Sequence, residues 1–349
     1  DRILQQAGVA TCEDLAETEV LQLSRLRTLP EGFGCLTALQ ELYIPCSNRL
    51  TALPTSFGRL VSLQTLYLGG NRLTELPESF GGLLSLRTLH LNDNLLRSLP
   101  ASLGGLAALQ TLRLSANRLA ELPESLGGLG ALRVLYAHDN ALAALPASLR
   151  RLASLRTLGL RGNRLTALPP GMGDLRALES LEVSGNRIAE LPGSLCGLAG
   201  LRTLYAQGNE LVSLPGDFGS MVGLQEVHLS QNRLVALPDS FGSLVALRAL
   251  HLQENQLEAL PDSFCALAAL EVLYLHRNQL ATIPEDFGKL AAVRVLYLGG
   301  NRLRALPESF GDLVSLQSLE LDPAAEVMRK VQHQRVRVAR MADGACCCR

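Results

Sequence analysis

The chain has 349 residues, 47% of them hydrophobic, with no tryptophan and a formal net charge of −1. That balance argues against a protein held mainly to nucleic-acid phosphates. No apolar run approaches the ~18 residues of a transmembrane helix, and no basic flank followed by a long apolar run opens the chain, so neither a membrane span nor a signal peptide is expected.

In chain order, residues 1–35 read as an N-terminal helical cap with an irregular first repeat. The stretch "DRILQQAGVATCEDLAETEV" mixes apolar and acidic residues, as a capping segment does. From 36 to 321 one phrase recurs. Asn48, Asn71, Asn94 and their successors to Asn301 stand 23 residues apart, and proline keeps step from Pro54 to Pro307. A period of this length marks a repeat architecture, so one solenoid replaces the two domains that length alone would suggest.

The unit reads L-x-x-L-x-L-x-x-N-x-L-x-x-L-P-x-x-F/L-G-x-L-x-x. In "LYL" (66–68) two leucines flank one outward residue, the pattern of a short strand with one buried face. Asn71 follows at a turn, where its amide can donate and accept for backbone groups left unpaired. Proline at Pro77 cannot join a ladder and opens the return path. One unit cannot bury its leucines alone; stacked neighbours can.

This unit resembles the leucine-rich repeats in their 23-residue intracellular form, over about Leu36–Leu321. Within that class it is most similar to the plant intracellular Ras-group-related proteins and the animal Ras-binding scaffolds. The fold class expected is an α/β repeat solenoid, a right-handed curved horseshoe. It has a parallel concave β-sheet of about 13 strands and short helical or loop segments on its convex side.

Two columns divide the aromatics. All eight phenylalanines, from Phe33 to Phe310, fall three residues after the proline, where the other coils carry Leu or Met. Such a column is a buried spine. All six tyrosines fall between the strand leucines, on the concave face. That column supplies the candidate partner-binding residues Tyr43, Tyr67, His90, Arg113, Tyr136, Glu182, Tyr205, His228, His251, Tyr274 and Tyr297. Their identity is not needed to seal the core, and Tyr and Arg are favoured at interface hot spots. The competing reading is that tyrosine simply suits an exposed strand. Glu41 and Glu226 on one side, and His138, Arg161, Gln207, Gln253 and His276 on the other, extend the patch.

Catalytic chemistry finds no support. His228 and His251 sit on neighbouring rungs, but an open sheet lacks the third ligand and supporting shell that a catalytic zinc needs. The recurring glycines lack a phosphate-loop context, and no Ser or Cys has a base and an orienting partner. Acids after the proline and arginines after the asparagine read as a solvated, charge-balanced surface. No enzyme activity, metal or other cofactor is therefore expected. Cys196 and Cys265 stand three repeats apart, too far for a disulfide, which points to a reducing setting.

Residues 322–349 read as a basic cap and tail, with Val327, Val331 and Val338 at helix-like spacing. Cys346, Cys347 and Cys348 follow five basic residues and are candidate lipidation sites, the alternative being plain thiols. The terminal Arg349 departs from a prenylation box. The function expected is a non-catalytic protein–protein scaffold. The resemblance implies a small GTPase or its effector complex as partner, with no nucleic acid, and with membrane only through the tail. The rivals are a structural subunit of a cytoskeletal or ciliary assembly and a regulatory arm of an enzyme whose catalytic domain lies elsewhere. The expected location is cytoplasmic, with membrane-associated and ciliary sites following from the tail and the first rival.

Overall fold

A computed structural model describes residues 15–45, 49–322 and 337–339. The chain divides into two compact units, Asp1–Ser180 and Leu181–Arg349. The first unit contains β1 (Val20–Gln22), β2 (Glu41–Tyr43), β3 (Thr65–Tyr67), β4 (Thr88–His90), β5 (Thr111–Arg113), β6 (Val134–Tyr136) and β7 (Thr157–Gly159). The unit boundary falls inside β8 (Ser180–Glu182). The second unit continues with β9 (Thr203–Tyr205), β10 (Glu226–His228), β11 (Ala249–His251), β12 (Val272–Tyr274), β13 (Val295–Tyr297), β14 (Ser318–Glu320) and β15 (Arg337–Ala339). Within each unit, strands pair in parallel with their chain neighbours, and equivalent residues of successive coils face each other, as Leu66 faces Leu89 and Leu250 faces Leu273. The leucine-rich solenoid expected from the sequence is the fold found.

The described residues hold two strands more than the roughly thirteen expected. β1 arises because Leu21 and Leu23 flank Gln22 as Leu66 and Leu68 flank Tyr67, and both leucines are buried. Leu15 and Ala16 are helical, but the helix expected to run on does not: Glu17–Glu19 turn and Val20 opens β1, while residues 1–14 lie outside the described residues. β15 pairs with the free edge of β14, so a strand stands at Val338, where the sequence pattern pointed to a helix. Val327, Val331, the tail cysteines and Asn48 lie outside the described residues.

Each of β3–β13 leads to a left-handed residue just before the asparagine. Glycine fills that place at Gly70 (φ 73°) and Gly300 (φ 68°), but Asp93, Ala116, Gln231 and Arg277 adopt it too. The turn aims the asparagine inward, where its amide is satisfied on both sides. Asn163 Oδ1 accepts from Leu142 N at 3.1 Å, while its Nδ2 donates to Ala137 O and Leu160 O at 2.9 Å each. Asn255 repeats the pattern in the second unit with Leu234 N, Leu229 O and Leu252 O. Each side chain thus bonds its own coil and the one before it.

The return segments are short 3-10 helices, such as Glu78–Gly82 and Asp239–Ser243, which open at proline. Their phenylalanines stack in rows: Phe57 to Phe80 at 6.1 Å between ring centroids, Phe218 to Phe241 at 5.7 Å. All eight rings are buried, as expected. The acids after the proline are more than a solvated surface. Glu31 accepts from the backbone N–H groups of Thr55 and Ser56, and Glu124 from those of Ala147 and Ser148, so each caps the 3-10 turn of the next coil. These bonds hold both carboxyls below the usual carboxylate range.

One contact between coils is set by side-chain size. In both units the glycine after the Phe or Leu lies against the serine immediately before the next coil's spine residue, and a Cβ at Gly58 or Gly242 would overlap that serine's carbonyl. Arg150, Cys196 and Cys265 replace the glycine, and opposite them Gly171, Asp217 and Asp286 replace the serine. The facing 3-10 helix then shortens from five residues to three, as in Met172–Asp174, Phe218–Ser220 and Phe287–Lys289. Burial, with Asp286 and Asp262 nearby, pushes the Cys265 thiol up to about 11. It stays protonated and unreactive at neutral pH.

Two substitutions in one thermal-melt series test this account with opposite signs. Asn163→Ala removes the side-chain bonds to Leu142 N, Ala137 O and Leu160 O and is expected to destabilise by ~1–3 kcal/mol. Ala116→Gly relieves a left-handed alanine and is expected to stabilise by about 0.5–1 kcal/mol, the strain released less the added chain entropy.

Candidate binding surface

The residue between the two strand leucines points away from the core, because successive side chains on a strand alternate. Each such position in β2–β6 and β9–β13 is half-buried, except for the exposed Arg113. The structure brings the predicted residues together as two rows, one in each unit.

In the first unit Tyr43 stacks on Tyr67 at 4.9 Å between centroids, and Tyr67 lies 4.1 Å from His90. Arg113 follows in register, its guanidinium carbon 5.6 Å from the centre of the Tyr136 ring. The row stops at Gly159 on β7, where Tyr136 and His138 lean over the space a side chain would fill. In the second unit Glu182 begins the face, and Tyr205, His228, His251, Tyr274 and Tyr297 occupy five successive rungs. His228 and His251 stack at 4.0 Å with planes 14° apart, and His251 meets Tyr274 edge to face at 4.7 Å.

Carboxylates two residues upstream clamp these rings. Glu41 Oε2 accepts from the Tyr43 hydroxyl at 2.7 Å, and this bond holds the phenol's pKa up at about 12. Glu226 Oε1 lies 2.6 Å from His228 Nε2. The sequence shows these acids in the adjacent column; the pairing was legible as Glu-x-Tyr and Glu-x-His on one strand face, a spacing that puts both side chains on the same side. His276 sits beside Tyr274 and Tyr297, 6.1 Å from each ring.

Burial dominates the titration of this surface. His90 is pulled down to about 4, chiefly by burial and secondly by Arg113. His251 is also pulled down to about 4, first by burial and then by His228, with Glu226 opposing. His276 is lowered and Tyr205 and Tyr274 are raised, again mainly by burial. At neutral pH His90, His251 and His276 are therefore uncharged rings, which suits contact with a desolvating partner. Among the described residues no group of three or more His, Cys, Asp and Glu is arranged to hold a metal, and no helix is long and apolar enough to cross a membrane.

Comparison with known proteins decides the family. The description "Leucine-rich repeat region" matches residues 78–156 and 147–236, and "Leucine rich repeat" matches 37–96, 222–280 and 269–323. A leucine-rich repeat protein of Leptospira interrogans is 34% identical over 91% of this chain and 81% of its own, with a TM-score of 0.81. The chain belongs to the leucine-rich repeat family. Two receptors share its repeats at 28% identity. The plant peptide hormone receptor RGFR1, solved in complex with RGF2, matches over 87% of this chain with a TM-score of 0.77. The Arabidopsis receptor kinase HAESA, solved with the peptide hormone IDA and the co-receptor SERK1, matches over 87% with a TM-score of 0.65. This chain spans 53% and 58% of the length of those two. No curated protein sequence matches.

The lowered histidines give the leucine-rich repeat surface a pH signature. An unfolded histidine titrates near 6.5, so between pH 6.5 and about 4 the unfolded chain binds more protons at His90 and His251 than the folded one, and stability falls as pH falls through that window. His228, Glu226 and His276 face His251 and stay in place in the test variant. Urea unfolding of His251→Phe is expected to lose less stability than the wild type between pH 7 and pH 4.5. Parallel loss in the two proteins would show that this histidine does not carry the effect.

Proposed function

We propose that the chain is a non-catalytic interaction scaffold that binds a folded protein partner on the tyrosine- and histidine-bearing face of its sheet. The observation that carries this reading is the confinement of every tyrosine to one outward column, where the rings lie in stacked rows on rigid strands. A propensity for exposed strands accounts for tyrosine in that column but not for the lack of it elsewhere. Rows held by the sheet lose little ordering entropy when a partner docks. The receptors RGFR1 and HAESA, built from similar repeats, were solved with protein or peptide ligands, which supports use of the same scaffold for recognition here. Within this reading, the resemblance to the Ras-group-related proteins makes a small GTPase or its effector complex the first partner to test, in a cytoplasmic setting.

Affinity capture followed by mass spectrometry tests the proposal. Truncating a hot-spot tyrosine typically costs ≥2 kcal/mol, about thirtyfold in affinity. The double change Tyr205→Ala and Tyr274→Ala is therefore expected to abolish capture of the main partner while the melting temperature stays nearly constant. Phe241→Ala, in the buried spine, is expected to act the other way and destabilise the fold by ~3–5 kcal/mol. Neutral tyrosine changes, with binding lost instead in Arg164→Glu, would place the partner elsewhere.

A further inference from the structure

The phrase "LYLGGN" occurs twice, at Leu66–Asn71 and at Leu296–Asn301. Its first glycine takes a place where other coils carry long side chains, such as His138, Arg161, Gln207 and Gln253. In the first unit the missing side chain leaves an open notch on the sheet face, a hollow of about 390 Å³. It is lined by the rings of Tyr67 and His90, by Gly69 and Gly70, by the polar Asn92 and Asp93, and by Pro45.

The lining has a consistent chemistry. The Tyr67 and His90 rings lie 4.1 Å apart and are tilted by 58°, so they present π faces and edges together. Asp93 is held in the left-handed conformation (φ 56°), and Asn92 Nδ2 donates to its Oδ2 at 2.7 Å. Its other oxygen is uncommitted, and the carboxylate is in none of the ion pairs formed among the described residues. His90, pulled to about 4, supplies no competing positive charge at neutral pH. Arg113 is placed against Tyr136 on the far side of His90.

A cation is the ligand class that answers both walls at once. It is attracted to an aromatic face and forms charge-assisted hydrogen bonds to a carboxylate. An apolar group would strip water from Asp93 without replacing it, and an anion would meet like charge. Resting on the proposed partner-binding face, we infer that the Tyr67 notch is a subsite for one cationic side chain, arginine or lysine, of the protein partner. The cation lies against the Tyr67 ring and pairs with Asp93.

The second copy of the phrase repeats the theme. Tyr297 faces Glu320 in register, and Glu320 Oε1 stands 3.0 Å from where a Cβ of Gly299 would be. Glu320 is 8% exposed, and that oxygen has no hydrogen-bond partner. Tyrosine, paired glycines and a carboxylate oxygen lacking a donor again stand side by side.

The test titrates the full chain, labelled with 15N-glycine, with the peptide acetyl-Gly-Arg-Gly-amide. Saturable shifts of the Gly69 and Gly70 amides are expected. The citrulline version, equal in shape but uncharged, is expected to bind at least tenfold more weakly. Tyr67→Ala and Asp93→Asn are each expected to weaken the arginine peptide tenfold or more. Gly69→Gln, which installs the residue that Gln207 and Gln253 already are at this position, is expected to fill the notch and remove the response. No saturable shift, equal binding of the citrulline or a glutamate peptide, or an unchanged Asp93→Asn variant would overturn the subsite. Partner capture that depends on Tyr205 and Tyr274 would stand in each of those cases. A neutral tyrosine pair there, with the notch still titrating as expected, would remove the broader reading alone.

Discussion

The asparagine after each of β3–β13 is the interaction on which the other features depend. A coil of 23 residues must reverse direction twice, and each reversal leaves backbone N–H and C=O groups facing the interior. A buried, unpaired group of this kind costs ~1–3 kcal/mol, and the cost would recur at every coil. The amide of Asn163 or Asn255 meets it with one acceptor and a two-proton donor, spread over its own coil and the preceding one. The turn is thereby tied to its neighbour, which sets the strands in register and lets the leucines of adjacent coils close over one another.

Because backbone and leucines settle the frame, the outward residue of each strand is released from structural duty. Its surroundings are still not those of free solvent. Neighbouring rungs hold rings close enough that His90 and His251 are partly withdrawn from water, and their low proton affinity follows from that crowding. The rings stand stacked on the strands before any partner arrives. Where a glycine interrupts it, at Gly69 or Gly159, the outcome depends on the neighbours: a notch beside Tyr67, a space covered by Tyr136 and His138.

Much of this was legible in the sequence. The period, the inward asparagines, the buried phenylalanine spine and the outward tyrosines all follow from residue types at fixed places within one unit. What escaped lies mostly in how successive coils meet. The acids at Glu31 and Glu124 look like ordinary surface charge until the next coil's N–H groups are seen above them. β1 was hidden by acidic neighbours, although Leu21 and Leu23 carry the strand alternation. The left-handed turn was visible at Gly70 but not at Ala116, where no residue preference announces it.

The fit between each spine-following glycine and the serine of the next coil bears on how such a chain can grow. A duplication copies 23 residues in whatever phase the break occurs, and each new junction must match a small residue to a close backbone, or a larger residue to a shortened turn. Breaks that separate Cys265 from Asp286, or Arg150 from Gly171, would bring a bulky side chain against a coil with no space for it. Junctions that keep the two positions together copy freely. The heritable module of this protein is therefore offset from the structural coil: it runs from the position after one coil's spine residue to the position before the next coil's spine residue, so that both sides of each close contact are copied together.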